Sequence, residues 1–251
     1  SNAWAGSLYS KHGLPGVSLL AGGADFAFLI SDGTSLQYIK NSAVLWEQKV
    51  TEQILDIVYD STRQRFLLLS PQSISVFNPA DKAITTGFKG DSLTCFTLSK
   101  GGKEIVAGTS NGYLVIDAVN WQAKGAINRR LPWTELTSVA ELDGKLWFGS
   151  SRGAFRLNED GKFSYYASRR WLPSDDVKHI SAGAEGSVLI LTGKGVGKIC
   201  FTPMTLAQKA AFYDKQVRQR HIRNGFNATL SHMTDGNLGT GFMEDSDNDG
   251  L

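Results

Sequence analysis

The chain has 251 residues, 41% of them apolar, and 26 lysines and arginines against 24 aspartates and glutamates for a formal charge of +2. That is enough apolar content for one all-β domain or two smaller units. The near-neutral balance argues against a duplex-binding protein, and no run approaches the ~18 apolar residues of a membrane-spanning helix.

In chain order, Ser1 to Ala3 read as a cloning scar, so the start of the chain is silent about a signal peptide. A repeat follows. The stretches FLISDGTSLQYI, LLLSPQSISVF, EIVAGTSNGYLVI, LWFGSSRGAFRL and VLILTGKGVGKI each hold an apolar β-prone run, a tight polar turn and a second strand. Their turn positions Gly33, Ser73, Gly112, Gly153 and Gly195 lie 40, 39, 41 and 42 residues apart. Ahead of each stands another alternating strand (Val17–Ala21, Ile54–Tyr59, Leu93–Leu98, Leu136–Glu141, Val177–Ser181), and after most a fourth. Four short antiparallel strands per ~40 residues form the blade of a β-propeller.

The expected blades cover about 17–50, 51–91, 92–133, 134–175 and 176–203. The fifth lacks its outer strand, because Pro203 and a helix-like stretch follow. The segment Ser7–Gly16, SLYSKHGLPG, parallels Ser164–Ser174, SYYASRRWLPS, so a strand at 7–10 is expected to complete that blade and close the ring. Closure removes an exposed sheet edge. The fold expected for 4–203 is therefore an all-β, five-bladed β-propeller closed by its N-terminal strand; the alternative is part of a larger ring. Cys95 and Cys200 fit neither a disulfide framework nor a zinc spacing and are read as buried thiols.

Residues 131–157, LPWTELTSVAELDGKLWFGSSRGAFRL, resemble the repeat of two-component regulator propellers through Leu131, Pro132, Val139, Asp143, Gly144, Leu146, Trp147, Gly149 and Gly153. A looser match runs through Leu172, Pro173, Val177, Ile180 and Gly186. The resemblance implies an extracellular or periplasmic, non-catalytic sensor module, in a family that often recognises glycan fragments. The many further repeats, membrane helix and kinase of such sensors have no counterpart here.

In an up-and-down blade, the inter-blade connections and the middle hairpin turns emerge on one face. Every connection carries a cation: Lys11, Lys49, Lys89, Arg129 with Arg130, and Arg169 with Arg170. Arg152 and Lys194 sit in hairpin turns of that face, and Trp133 and Trp171 stand beside the arginines. Such a ring concentrates anions and offers stacking platforms, which points to an anionic saccharide as ligand. The competing reading is plain surface ion pairing with the acids that follow, Glu52, Asp91, Glu135, Asp175 and Asp176.

The inner strands align Leu19, Asp56, Cys95, Ser138 and His179, one from each blade. Asp56 and His179 are the candidate catalytic pair if the module is an enzyme or enzyme-accessory domain of the polysaccharide hydrolase or lyase type. The paired carboxylates of a glycosidase are missing from these positions.

From Thr205, apolar residues Leu206, Ala210, Tyr213, Val217 and Ile222 recur at helical steps, with a capping box of Thr205 and Gln208 and a stop at Gly225, so a helix is expected within 204–225. Residues 226–251 read as a polar linker. They include a glycosylation sequon at Asn227 and the start of a calcium loop at Asp245, Asp247 and Asp249 with Gly250, which lacks the closing acid and would bind calcium weakly. The helix and tail faintly resemble the segment preceding an α/α-toroid domain in large secreted proteins, which implies a downstream domain as partner and a scaffolding role as a third reading. No cofactor is expected.

Overall fold

The computed structural model describes residues 17–99, 101–201, 205–208, 210, 211, 214 and 215. They fall in two compact units divided after Ile199. The first is built almost wholly of antiparallel strands in five sheets. The first sheet holds β1 (Leu19–Gly22), β2 (Ala27–Ser31), β3 (Ser35–Lys40) and β4 (Ala43–Lys49); the second β5 (Asp56–Asp60), β6 (Arg65–Leu69), β7 (Ser73–Asn78) and β8 (Ala83–Lys89). The third holds β9 (Leu93–Leu98), β10 (Glu104–Thr109) and β11 (Gly112–Asp117). The fourth holds β12 (Ser138–Leu142), β13 (Lys145–Ser150), β14 (Gly153–Leu157) and β15 (Phe163–Tyr166), and the fifth β16 (Val177–Ala182), β17 (Val188–Thr192) and β18 (Gly195–Ile199). Each sheet is a meander in sequence order, as the ~40-residue repeat requires.

One polar side chain closes the middle hairpin of each sheet. Thr109 Oγ1 accepts the Asn111 N–H (3.0 Å) and donates to Gly112 O (3.0 Å). Ser150 does the same with Arg152 and Gly153, and Thr192 with Lys194 and Gly195. Ser70 receives the Ser73 N–H at 3.0 Å. The first hairpin has the same length: Ser31 pairs with Leu36 as Leu69 does with Ile74 and Gly108 with Tyr113, so Ser35 rather than Gly33 takes the place of Ser73 and Gly112, and Asp32 that of Ser70 and Thr109. There Asp32 Oδ1 accepts the N–H groups of Thr34 and Ser35, which holds its carboxyl below the usual range.

This closure sets the strand register, and the register sets which side chains are buried. Leu29, Leu36 and Tyr38 of the first sheet meet Ile57, Phe66 and Leu68 of the second. Leu67, Leu69, Ile74 and Val76 then meet Leu93, Phe96, Ile105 and Ala107 of the third. Cys95, Val106 and Tyr113 meet Val139, Phe148 and Phe155 of the fourth, and Trp147, Ala154 and Tyr166 meet Val177, Ile180, Val188 and Ile190 of the fifth. Each such Leu, Ile or Phe contributes about 1.5–3 kcal/mol by leaving water.

A polar bolt joins the second and third sheets. Asp60, fully buried, accepts from the Thr62 and Arg63 N–H groups and from the guanidinium groups of Arg63 (3.1 Å) and Arg65 (3.0 Å). Those arginines donate onward to Gly102 O and Ala118 O of the third sheet's loops. Arg65 also lies over Trp121, whose ring occupies the space that a Cβ on Gly87 of β8 would need (2.4 Å).

Two expectations change, and a third lies outside the described residues. The third sheet has three regular strands; the stretch after β11 joins it only through the bridges Tyr113–Asn128 and Ile116–Ala123, since Trp121 and Gly125 both have positive φ and break the strand. Cys200 is exposed rather than buried, because it stands beyond the end of β18. The expected closing strand at 7–10 lies outside the described residues, and the outer faces of the first and fifth sheets are in part exposed: Leu20 by 53%, Leu191 by 44% and Val196 by 59%.

In the second unit, residues 206–208, 210, 211, 214 and 215 are helical, and the capping box is present: the Thr205 N–H donates to Gln208 Oε1 (2.8 Å) and the Gln208 N–H to Thr205 Oγ1 (3.3 Å). Among the described residues no helix is long and apolar enough to cross a membrane.

Gly153 has φ +103°, and a Cβ there would lie 2.6 Å from Tyr166 O, whereas Gly161 has φ +77° with open space around it. Gly161→Ala is expected to cost about 1 kcal/mol from backbone strain alone, and Gly153→Ala clearly more, within or above the ~1–3 kcal/mol of a strained residue. Urea melts check this; equal losses would contradict the turn-to-strand contact.

Candidate functional site

Backbone hydrogen bonds gather the inter-sheet connections and the middle hairpins at one end of the molecule. Val50 and Ile54 donate to Thr34 O and Gly33 O, and Gly90 and Leu93 to Gln72 O and Pro71 O. Gly112 donates to Thr134 O, Gly153 to Asp175 O and Gly193 to Asp176 O. The end that sequence topology assigned to Lys49, Lys89, Arg129, Arg130, Arg152, Arg169, Arg170 and Lys194 is therefore one surface, and all eight side chains are exposed. Lys11 lies outside the described residues.

Three of the five acids that follow these cations bond to other groups. Glu52 bonds the Ser70 hydroxyl and Ser73 Oγ (3.3 Å). Asp175 accepts the Ser168 N–H, and Asp176 pairs with Lys178 (2.8 Å). Among the described residues Lys49, Lys89, Arg129, Arg130, Arg152 and Lys194 form no ion pair. These six exposed cations share the end with Asp91 and Glu135 without a direct ionic contact to them.

Two grooves open on it. One, of about 280 Å³, is lined by Lys49, Glu52, Ser70, Ser73 and Thr86. The other, of about 230 Å³, lies between Pro132, Trp133, Glu135, Ser150 and Arg152. Trp133 packs edge-on to Phe155 (5.7 Å) and to Tyr165 (5.8 Å). Tyr165 is 52% exposed and was missed from sequence; its outward place in the alternation of β15 is the signal that could have found it. Trp171 is 47% exposed, with the Arg170 guanidinium stacked 5.0 Å over its ring.

The five inner-strand residues do occupy equivalent positions. Leu19, Asp56, Cys95, Ser138 and His179 each pair with the same register position of the second strand, namely Ser31, Leu69, Gly108, Gly149 and Leu191. They do not form one reactive site. Cys95 is buried and its thiol is pushed up to about 12 by burial, far from a thiolate at neutral pH. Ser138 Oγ is committed to the Ile180 N–H (3.0 Å) and ties the fourth sheet to the fifth.

Asp56 and His179 remain. Burial pushes the Asp56 carboxyl up to about 6, opposed by a hydrogen bond from the Ile57 N–H (2.8 Å) and by the charge of His179. These two candidate residues are thus in electrostatic reach across the inner strands. Among the described residues no three His, Cys, Asp or Glu side chains gather to hold a metal, and Asp245, Asp247 and Asp249 lie outside them.

No family model and no curated protein matches the sequence. Among solved structures the chain is similar to the extracellular domain of the B. thetaiotaomicron protein named as the hybrid two component system BT3049, at 18% identity and a TM-score of 0.63. The match covers 74% of this chain and 27% of that one, so the chain spans about a quarter of that domain's length. It is similar also to streptogramin B lyase (11% identity, TM-score 0.60, 74% and 65% covered) and to the WD40 β-propeller domain of Doa1 (12%, 0.58, 74% and 64%). These likenesses establish the fold as that of a β-propeller.

A carboxyl whose folded pKa is raised contributes stability at low pH that is lost as pH rises through the folded value. Asp56 therefore favours the folded state fully below pH 3.8 and weakens it above about pH 6. Asp56→Asn is expected to raise stability at pH 7.5 by on the order of 2 kcal/mol, with the difference closing below about pH 4. Thermal melts at the two pH values decide this; a destabilised variant at pH 7.5 would mean that the ionised carboxylate has a partner in the fold.

Proposed function

We infer that this chain is a five-bladed propeller module that binds a ligand without transforming it, outside the cytoplasm, and that the ligand is an anionic saccharide held at the connection end. The observation that carries the reading is the set of exposed cations gathered at one end, six of which form no ion pair among the described residues. A carboxylated or sulfated sugar supplies the missing charges, and its ring faces suit the Trp133 and Tyr165 edge beside Arg152. The likeness in fold to an extracellular two-component domain supports a sensor role. Lys11 and the tail aspartates Asp245, Asp247 and Asp249 belong to this reading as a further cation of the ring and a weak calcium site.

A second reading, catalysis by Asp56 and His179, draws on their mutual electrostatic influence. It lacks a further acid among the aligned positions, so it supplies one titrating carboxyl and no partner for glycoside hydrolysis.

Thermal-shift titration with acidic and neutral oligosaccharides at low and high salt tests the first reading. Acidic sugars are expected to raise the melting temperature at low salt, the shift fading with salt. Arg130→Ala with Arg152→Ala is expected to weaken the apparent affinity roughly tenfold or more while leaving the ligand-free melt unchanged, since both side chains are solvent-facing. No shift with any acidic sugar, or full binding by the double variant, would overturn the assignment and favour a scaffold for a further domain.

A further inference from the structure

At the end opposite the connections, the turns β1–β2, β5–β6 and β7–β8 meet around a groove of about 380 Å³ between the first and second sheets. Its floor is aromatic: the ring centres of Tyr59 and Phe66 lie 4.9 Å apart, and Tyr38 stands edge-on to Phe66 at 6.2 Å. Leu45 adds an apolar wall. It is the unpaired residue of a bulge in β4, since Tyr38 pairs with Trp46 and Ile39 with Val44, and a bulge re-aims a side chain. Each of the three turns puts a non-glycine residue of the groove at positive φ: Asp25 at +53°, Gln64 at +50° and Lys82 at +56°. Glycine would relieve that strain, and strained backbone collects at ligand sites.

The polar groups of the groove are chiefly donors. Tyr38 is only 6% exposed, yet its hydroxyl bonds to no described residue; burial pushes the phenol up, so at neutral pH it has its proton to give. The Lys40 ammonium acts on the same phenol and spends one donor on Asp25 (3.4 Å). Asn78 Oδ1 is taken by the Ala80 N–H, which leaves its amide hydrogens to the groove. Lys82 is exposed and forms no ion pair among the described residues. Asp25, the one carboxylate among the described lining residues, is already paired with Lys40. A nearly buried donor without a partner costs free energy that a bound acceptor recovers.

We propose that this groove binds a small aromatic carboxylate, whose ring lies on the Tyr59 and Phe66 floor against Leu45 and whose oxygens accept from the Tyr38 hydroxyl and the Lys40 ammonium. Lys82 adds attraction at the rim. A neutral sugar suits the groove less, because it brings as many donors as acceptors to a site in need of acceptors. The groove lies at the far end of the strands from the cationic connections and stands independently of what binds there.

Isothermal titration of the whole chain with cinnamate tests the proposal, beside two analogues: cinnamyl alcohol keeps the ring without the charge, and cyclohexanecarboxylate keeps the charge without the aromatic ring. Cinnamate is expected to bind one per chain, and each analogue about tenfold or more weakly. Tyr38→Phe removes the hydroxyl and keeps the packed ring, so the ligand-free melt is expected to hold while the affinity falls about tenfold. Lys82→Glu, on an exposed side chain, reads the same site through its charge, with a loss of similar size that fades with salt. Saturating oligogalacturonate is expected to leave the cinnamate affinity unchanged, which separates this site from the connection end. No binding of cinnamate at millimolar concentration, equal binding of either analogue, or full affinity in either variant would overturn the proposal. So would displacement of cinnamate by oligogalacturonate, or a neutral oligosaccharide whose binding is lost on Tyr38→Phe.

Discussion

The fold hangs on one short hydrogen-bonded bracket, the hydroxyl or carboxylate that closes the middle hairpin of every sheet. A side chain that accepts the amide two residues on and donates to the carbonyl of the returning strand admits only a tight loop. Thr109, Ser150 and Thr192 do this with two-residue loops, and in the first hairpin, of the same length, Asp32 accepts the amide while the Ser31 hydroxyl beside it donates to the Ser35 carbonyl. Once the loop length is fixed the register follows, and a slip of one residue would turn Leu67 and Leu69 away from the third sheet. The apolar stacking supplies the larger free energy, but the bracket decides which residues stack.

The same bracket organises the functional end. Holding each hairpin against the connection that follows leaves two-residue tips and connection loops as the only positions for long side chains, and the sequence fills many of them with Lys and Arg. Among the acids of these connections, Glu52 is drawn to Ser70 and Ser73, a hairpin-closing pair, and Asp175 accepts from the backbone of the fourth connection. Exposed like charges gathered at one end cost stability through self-repulsion and attract an oppositely charged ligand. The inner strands show the opposite arrangement. There Cys95 and Ser138 are absorbed into packing, and the half-buried Asp56 carboxyl weakens the fold at neutral pH.

Most of this was legible in the sequence wherever a strand repeats with local signals. The spacing of turns located all five sheets, and aligning the inner strands placed Leu19, Asp56, Cys95, Ser138 and His179 at what prove to be equivalent register positions. The first hairpin was misaligned by two residues because Gly33 looks like the glycines of later turns, whereas it stands inside the two-residue loop, where Pro71 stands in the second sheet, and Ser35 is the counterpart. The outer edge of the third sheet was illegible for a different reason: Trp121 leaves strand geometry to fill the hollow over Gly87 on another sheet, a contact that local pattern cannot announce. Likewise the diversion of Glu52 depends on hydroxyls distant in sequence, so the charge at the connection end was visible and this acid's partners were not. Tyr165 escaped notice because aromatic residues of an outer strand are usually packing groups.

Hydrogen–deuterium exchange with and without an acidic oligosaccharide such as an oligogalacturonate tests the central claim most directly, because it reports where a ligand sits without altering a residue. The account predicts slowed exchange confined to the connection end, in the segments around 129–135, 151–153 and 193–195, with the opposite turns around Asn41, Lys82 and Asp143 unchanged. Protection at those opposite turns, or an exchange map identical with and without the sugar, would contradict it.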